Sequence, residues 1–425
     1  MKYHLVSFGC QFNSSDAEKA AKLLDDCRYR QTDDLNEADL VLVLACSVRQ
    51  SAIDRIYGLN KKFIQIRRRR PLITALTGCV LKSDMPKMKK IFDIVFDITD
   101  LSKLVKLLNA KRPKQKGQSY FDLHPQYRSK FQSYVPIMTG CNNFCTYCVV
   151  PYTRGREACR KAADVVNECK DLIAKGYNEI TLIGQNVNSY QGKINNVQGT
   201  IGFAKLLLNI DKIPGNYRLR FMTSHPKDLS DELIDVLKKT IHVMPYLHLP
   251  VQSGNNTILK KMNRNYTASR YKKLINKIRK AVPGICVSTD VIVGFPGETK
   301  KQFNDTVKLF KEVKFDMAYI AEYSIRQGTV AAKMDDDVPK NEKERRKFVL
   351  NGVLEKTALS NNKKYLGKIV DVLVEKYGRG FCSGKTATFK TVKFKSQNDF
   401  TGEFVKVKIK EAMPWGMAGE LANSN

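Results

Sequence analysis

Short apolar runs alternate with amphipathic stretches along most of the chain. In the first hundred residues, segments 5–8, 39–44 and 72–77 are apolar and short enough to be buried strands. Segments 16–27 and 48–67 carry their apolar residues at helical spacing. Strand–helix alternation of this kind predicts a parallel α/β sheet. Residues 109–133 are polar, basic and without a period, and read as a linker or an embracing arm. The alternation then resumes with a longer beat. Strands are predicted over 134–138, 179–183, 218–222, 246–249, 286–293 and 317–323, with helices such as 162–175 and 268–281 between them. Six such repeats suit an open, partial (β/α)6 barrel, and periodicity alone leaves a doubly wound sheet as the alternative. Segment 340–362 is a highly charged helix, read as a solvated connector. Beyond it the rhythm changes: 369–374, 390–394 and 403–409 are short strand patterns between Gly-rich and polar turns, which predicts a small all-β barrel or OB-like module. The expected division is an α/β domain over 1–110, a linker over 111–133, the barrel with its connector helix over 134–362, and the small β domain over 363–425.

Charge changes the picture next. Among 425 residues, 73 Lys and Arg stand against 42 Asp and Glu, a formal net charge of +31. An excess of this size points to a polyanionic partner, nucleic acid before an anionic membrane, with a merely soluble basic protein as the plain alternative. Residues 1–14 lack the apolar stretch of a signal peptide, and no run of apolar residues is long enough to span a bilayer. No long basic amphipathic helix lies at either end, so no membrane partner is expected and a cytoplasmic location is. The eleven cysteines are odd in number and unevenly spaced. In a reducing compartment such thiols bind metal or do chemistry more often than they form disulfides.

Two groups of cysteines carry the chemistry. Cys141, Cys145 and Cys148 lie in the segment CNNFCTYC, after the first strand of the middle domain and a turn at Gly140. Three thiolates on one tight loop can each take one iron of a four-iron cluster and leave the fourth iron open to a substrate. A zinc site usually brings two ligand pairs, which are missing nearby, so a zinc knuckle or accidental thiols is the weaker alternative. The second group is dispersed: Cys10, Cys46 and Cys79 each end an apolar run. If those runs are parallel strands of one sheet, the three thiols emerge at one carboxyl edge. The plain alternative is three buried apolar cysteines. Cys27, Cys159, Cys169, Cys286 and Cys382 have no partner pattern and are read as non-ligands.

The CxxxCxxC spacing after a first barrel strand, with an aromatic before the last cysteine, resembles the radical S-adenosylmethionine (SAM) enzymes. That resemblance implies that the open iron binds the amino and carboxylate groups of SAM and that an electron from the cluster releases a 5′-deoxyadenosyl radical. It also implies that Tyr147 lies against the adenine, and that Gln185, Gln252 and Asp290, at carboxyl ends of strands, hold the cofactor. For any one of these polar residues the bland reading is a turn or a cap. The segments GCQFNSSD, ACSVRQSA, TGCV, GCNNFCTYCVVPYTRGRE, LIGQNVNSY, HLPVQSG and TDVIVGFPGET occur in the order found in the methylthiotransferases, and the resemblance covers nearly the whole chain. CSVRQSA, CTYCVVPYTRGRE and GQNVNSY look most like the MiaB branch, which acts on isopentenyl-adenosine beside the anticodon of tRNA.

The resemblance implies two [4Fe–4S] clusters, one on Cys10, Cys46 and Cys79 and one on Cys141, Cys145 and Cys148, both facing one cleft between the first two domains. It implies no catalytic side chain beyond the cluster ligands. It further implies a TRAM-like RNA-binding domain at the C-terminus, the tRNA anticodon stem-loop as partner, an electron donor such as a flavodoxin or ferredoxin, and a sulfur donor. Two departures stand out: Ala45 occupies the usual place of a threonine, and Ser324, Ile325, Arg326, Gln327 and Gly328 replace a proline-rich stretch. Rival readings keep the chemistry and move it to threonylcarbamoyl-adenosine or a ribosomal-protein aspartate, or replace it with a non-enzymatic iron–sulfur RNA-binding protein.

The basic residues fit an RNA partner. Lys385, Lys390, Lys393, Lys395, Lys406, Lys408 and Lys410 fall in the β domain, and the alternating positions 406, 408 and 410 would form a row of ammonium groups suited to phosphates. Its alternative is an ordinary solvated strand face. The block from Arg67 to Arg70 reads equally as phosphate contact or solvated surface. Phe381, Phe389, Phe394 and Phe400 are read as core rather than as base-stacking residues. His225 and His248 are expected to be packed or hydrogen-bonded at strand ends.

Overall fold

The structure, a computed structural model, describes residues 1–46, 50–108, 120–194 and 199–422. Residues 47–49, where the second helix was expected to begin, and 109–119 of the expected linker lie outside the described residues. Strands β1 (Lys2–Ser7), β2 (Arg30–Gln31), β3 (Leu40–Cys46), β4 (Ile73–Cys79) and β5 (Ile94–Val95) form a parallel sheet in the order β2-β1-β3-β4-β5. Every residue of β3 is buried. Its alternate side chains enter two cores. Leu40, Leu42 and Leu44 pack with Ala17, Ala20 and Leu24 of helix α1 (Gln11–Asp26), while Val41, Val43 and Ala45 pack with Ile53, Ile56 and Phe63 of helix α2 (Gln50–Arg67). Helix α1 starts well before the expected residue 16. Its first turns bury polar Asn13, Ser15 and Asp16, which interrupt the apolar stripe on which the sequence reading relied.

The middle of the chain forms six parallel strands: β6 (Gln132–Pro136), β7 (Glu179–Ile183), β8 (Arg218–Phe221), β9 (Tyr246–His248), β10 (Cys286–Val293) and β11 (Met317–Glu322). β8 and the approach to β9 are joined by a parallel bridge between Leu219 and Val243. The strands follow chain order without the reversal that defines a doubly wound sheet, so this is the open partial barrel. Helices α3 (Ala162–Ala174), α4 (Phe203–Asp211), α5 (Asp231–Lys239), α6 (Ala268–Ala281) and α7 (Lys300–Val313) cover its outside. Helix α8 (Lys340–Lys363) is no solvated connector. Leu350, Leu354 and Ala358 are buried at a four-residue spacing, and the first two join the barrel core. So narrow a stripe vanishes among charged neighbours in a sequence average.

Five strands close the C-terminal barrel: β12 (Ile369–Gly378), β13 (Phe381–Thr386), β14 (Thr391–Lys395), β15 (Phe404–Met413) and β16 (Gly416–Leu421). Strands β13 and β16 escaped the sequence reading because Gly, Ser and Thr dilute their alternation. Of the four phenylalanines expected in the core, Phe394 is central and Phe400 packs against it. Phe389 instead meets Tyr246 at the base of the larger barrel, with ring centroids 4.7 Å apart, and Phe381 lies beneath the Lys393 ammonium at 4.1 Å. Among the described residues no helix is long and apolar enough to cross a membrane.

Candidate active site

The carboxyl edge of the first sheet gathers three thiols. Cys46 and Cys79 end neighbouring parallel strands and face each other in register. The turn before Cys10 lies on top of them: a Cβ added to Gly9, at φ +134°, would come within 2.7 Å of Cys46 Cβ and 3.2 Å of its Sγ. Gly78, at φ +100°, leaves no more room, since a Cβ there would stand 2.5 Å from the Ala45 carbonyl oxygen. Cys10 is exposed and occupies the N-cap position of α1, whereas Cys46 and Cys79 are buried. Burial pushes the Cys79 thiol up, and the adjacent Arg154 guanidinium pulls it back.

The second trio sits on the loop after β6. Cys145 is buried, and Cys141 and Cys148 are half-buried. Phe144 adopts a left-handed φ of +47° between them. The loop is fixed from outside: Thr146 N–H donates to the Met262 carbonyl at 3.1 Å, and Asn263 Nδ2 donates to the Phe144 carbonyl at 3.0 Å. Burial and the neighbouring Cys145 push the Cys148 thiol up to about 12. Iron binding takes the deprotonated form and so releases protons here. Among the described residues no three Cys, His, Asp or Glu side chains close on the point of a single metal ion. A four-iron cluster has a different demand, since its thiolates stand at separate corners.

Beside Cys148 opens a cavity of about 260 Å³, lined by Tyr147, Gln252, Asp290, Tyr319 and Arg326 among others. Three of the four residues singled out for the cofactor thus share one cavity. Gln185, just past β7, does not line it. The two glutamines nevertheless have a feature in common: Oε1 of Gln185 and Oε1 of Gln252 are buried without a hydrogen-bond partner. Buried acceptors of this kind suit a polar ligand. Gln252 is held in a left-handed turn at φ +68°, with its N–H on the Asp290 carbonyl at 2.8 Å. The Asp290 carboxylate lies 3.2 Å from His248 Nε2. Arg326 closes the cavity on the side of the first domain. Burial lowers its pKa, while Asp84, Cys46 and Asp54 of that domain raise it. Of the first trio, Cys46 is thus the thiol whose charge Arg326 feels.

Several residues here had no role assigned from sequence. Arg154 joins the two domains through Cys79, Asn13 and Asp16. Arg264 donates to Cys145 Sγ at 3.4 Å and to the Pro250 carbonyl at 2.7 Å. The only sequence signal for Arg154, Asn13 and Asp16 is their nearness to Cys148 and Cys10. His225 is packed against Tyr266, and burial lowers it to about 2, so it is neutral. In the basic block, Arg67 pairs with Asp93 at 2.6 Å and Arg70 donates to the Ala38 carbonyl at 2.7 Å. Both are engaged within the first domain, although Arg67, like Arg68 and Arg69, remains exposed. Lys406, Lys408 and Lys410 do form an exposed row along β15, with Lys410 paired to Glu420 at 2.6 Å. Lys390 is buried against Asp316 at 2.8 Å and contributes nothing to that row.

Comparison with known proteins matches three family models in order: "Uncharacterized protein family UPF0004" over residues 2–98, the radical SAM superfamily over 135–310 and the TRAM domain over 363–422. A tRNA-2-methylthio-N(6)-dimethylallyladenosine synthase of Clostridium tetani (strain Massachusetts / E88) is 40% identical over 98% of this chain and 96% of its own length. One of Thermoanaerobacter sp. (strain X514) is 43% identical over 99% and 92%. Among solved structures, the radical SAM methyltransferase TsrM from Kitasatospora setae, with cobalamin and a [4Fe–4S] cluster bound, superposes with a TM-score of 0.54 at 16% identity, covering 90% of this chain and 80% of that one, a likeness of fold alone. Two cysteine trios, a cavity beside one of them and an identity of 40% or more from end to end lead to one assignment: the chain belongs to the radical SAM superfamily and, within it, to the family of the tRNA-2-methylthio-N(6)-dimethylallyladenosine synthases.

Proposed function

We propose that this chain replaces the C2 hydrogen of N6-dimethylallyl-adenosine, the isopentenyl-adenosine beside the tRNA anticodon, with a methylthio group. What supports the reading is a pair of cysteine trios, one of them beside a cavity, in a chain alike from end to end to synthases of that nucleoside. An unactivated aromatic C–H yields to no ordinary acid, base or metal hydroxide. When bound, the two clusters and SAM supply radical chemistry: the hydrogen leaves in 5′-deoxyadenosine, sulfur comes from the N-terminal centre and its methyl group from a second SAM. Cys141, Cys145 and Cys148 hold the cluster that cleaves SAM, and Cys10, Cys46 and Cys79 hold the other. Tyr147, Gln252 and Asp290 orient SAM in the cavity, while Gln185 lies outside its lining. A flavodoxin or ferredoxin delivers the electron, and a separate donor restores the sulfur. Lys406, Lys408 and Lys410 give the β domain a phosphate-facing strand, so RNA affinity falls steeply with salt. The target base must leave its stack to present C2.

Mass spectrometry of tRNA nucleosides from a deletion strain tests this. Loss of the 2-methylthio form, with dimethylallyl-adenosine accumulating, is expected. An unchanged 2-methylthio-dimethylallyl-adenosine level would reject the substrate. The glycines give a second expectation. Gly78→Ala forces a Cβ into the Ala45 carbonyl and a left-handed residue into strain of about 1–3 kcal/mol. Iron in the anaerobically reconstituted protein should drop from about eight to about four per chain. Full iron content in that variant would count against a cluster at the first trio.

A further inference from the structure

Arg154 lies in the chain six residues past Cys148, yet its side chain works in the first domain. Its Nε donates to Cys79 Sγ at 3.0 Å, and Nη2 donates to Asn13 Oδ1 at 3.1 Å and to Asp16 Oδ2 at 2.6 Å. The guanidinium stacks over the Phe12 ring at 4.3 Å. The side chains of Arg154 and Asp16 are 2% and 0% exposed. Asp16 is committed on both sides, because its other carboxylate oxygen accepts from the Tyr120 hydroxyl. Asn13 is equally fixed: Nδ2 donates to the Phe8 and Ala45 carbonyls, both at 2.8 Å, at the ends of the runs that carry Cys10 and Cys46. The arginine is thus aimed at one sulfur by partners that cannot turn away. A buried cation with an N–H on a ligating sulfur stabilises the more negative, reduced state of an iron–sulfur centre, and hydrogen bonds to sulfur are among the factors that set cluster potentials.

We propose that Arg154 is a positioning residue that raises the reduction potential of the N-terminal centre through its N–H···S bond to Cys79, with Asp16 and Asn13 holding it in aim. This rests on the reading that Cys10, Cys46 and Cys79 hold a cluster. It also gives the loop of Cys141–Cys148 a direct hold on that centre, since the same short segment carries Cys148 and Arg154.

The test is a potentiometric titration of the anaerobically reconstituted full chain, followed by electron paramagnetic resonance, with Cys46→Ala identifying the N-terminal signal. Arg154→Gln removes the charge, and the N-terminal midpoint should shift to more negative values while the other centre stays in place as an internal control. Asp16→Asn keeps Arg154 and its bond to Cys79 but removes the balancing negative charge, and should shift the same midpoint to more positive values. The proposal is overturned if both variants hold full iron and keep the wild-type midpoint. If Arg154→Gln binds no second cluster, Asp16→Asn decides alone, and an unmoved midpoint there overturns it. Failure of the underlying reading looks different: the unmutated chain would hold one cluster, or Cys46→Ala would lose no iron.

Discussion

Cys46→Ala should leave a protein that still cleaves SAM but makes no methylthio nucleoside, whereas Cys145→Ala should lose both activities. The contrast follows from where the two thiols stand. Cys145 is buried in the loop pinned by Met262 and Asn263, receives the Arg264 guanidinium, and neighbours Cys148, which opens onto the cavity. With only three thiolates to hold four irons, loss of one leaves two, too few to keep the cluster and its open corner. Cys46 ends the central strand of a separate sheet, in register with Cys79, so its loss empties the other centre without touching the loop. Anaerobic protein given dithionite, SAM and substrate RNA should release 5′-deoxyadenosine with Cys46→Ala, at about four irons per chain, and none with Cys145→Ala. Methylthio product from Cys46→Ala would remove the first trio from the reaction. Release of 5′-deoxyadenosine by Cys145→Ala would remove the second.

Much of this arrangement could be read in the residues. Strands β7 and β10 and helix α6 lie at the residues their apolar period marks, since each is long or fully buried and nothing competes with the pattern. The thiols stood out in the sequence because few side chains bind iron and because the spacing of Cys141, Cys145 and Cys148 has few other uses, whereas Cys10, Cys46 and Cys79 drew notice mainly by ending apolar runs in a chain that also carries that motif. Polar residues that act through partners were not. Arg154 finds Asp16 across 138 residues of chain, and Arg264 reaches Cys145 across 119, so neither pairing leaves a local trace. The basic block misled for the same reason: Arg67 and Arg70 are consumed by Asp93 and by backbone carbonyls that only the fold brings near. Lys406, Lys408 and Lys410 read correctly as a row because strand alternation is local.

Arg220→Ala should destabilise the protein by about 3–5 kcal/mol at the joint between the barrel and the C-terminal domain, the cost usual for breaking one side of a buried ion pair. Arg220 projects into the barrel with its side chain 1% exposed, and its Nε donates to Glu179 Oε2 at 2.6 Å. Its two Nη atoms donate to the Thr386 and Ala387 carbonyls, both at 2.8 Å, and Phe389 lies over the guanidinium at 4.9 Å. Arg218 repeats the arrangement on the Lys385 and Asp371 carbonyls at 2.7 and 2.9 Å, and burial with Arg220 beside it lowers its pKa to about 10. Alanine at 220 therefore leaves a buried Glu179 carboxylate without its cation and takes the guanidinium donors from the Ala387 and Thr386 carbonyls, of which Thr386 keeps the Phe389 N–H at 3.0 Å. A chain of several domains need not unfold in one step, so the readout is hydrogen exchange. Protection should fall first in β12 and β13, which these carbonyls tie to the barrel. Methylthio product should fall with it, while 5′-deoxyadenosine release continues, because the Lys406, Lys408 and Lys410 row is no longer held at a fixed distance from the cavity. Adding Glu179→Gln removes the stranded charge but does not restore the guanidinium bonds to the Thr386 and Ala387 carbonyls, so the double variant should regain part of the stability and little of the docking. Wild-type exchange rates in β12 and β13 of Arg220→Ala would show that the β domain is held by other contacts.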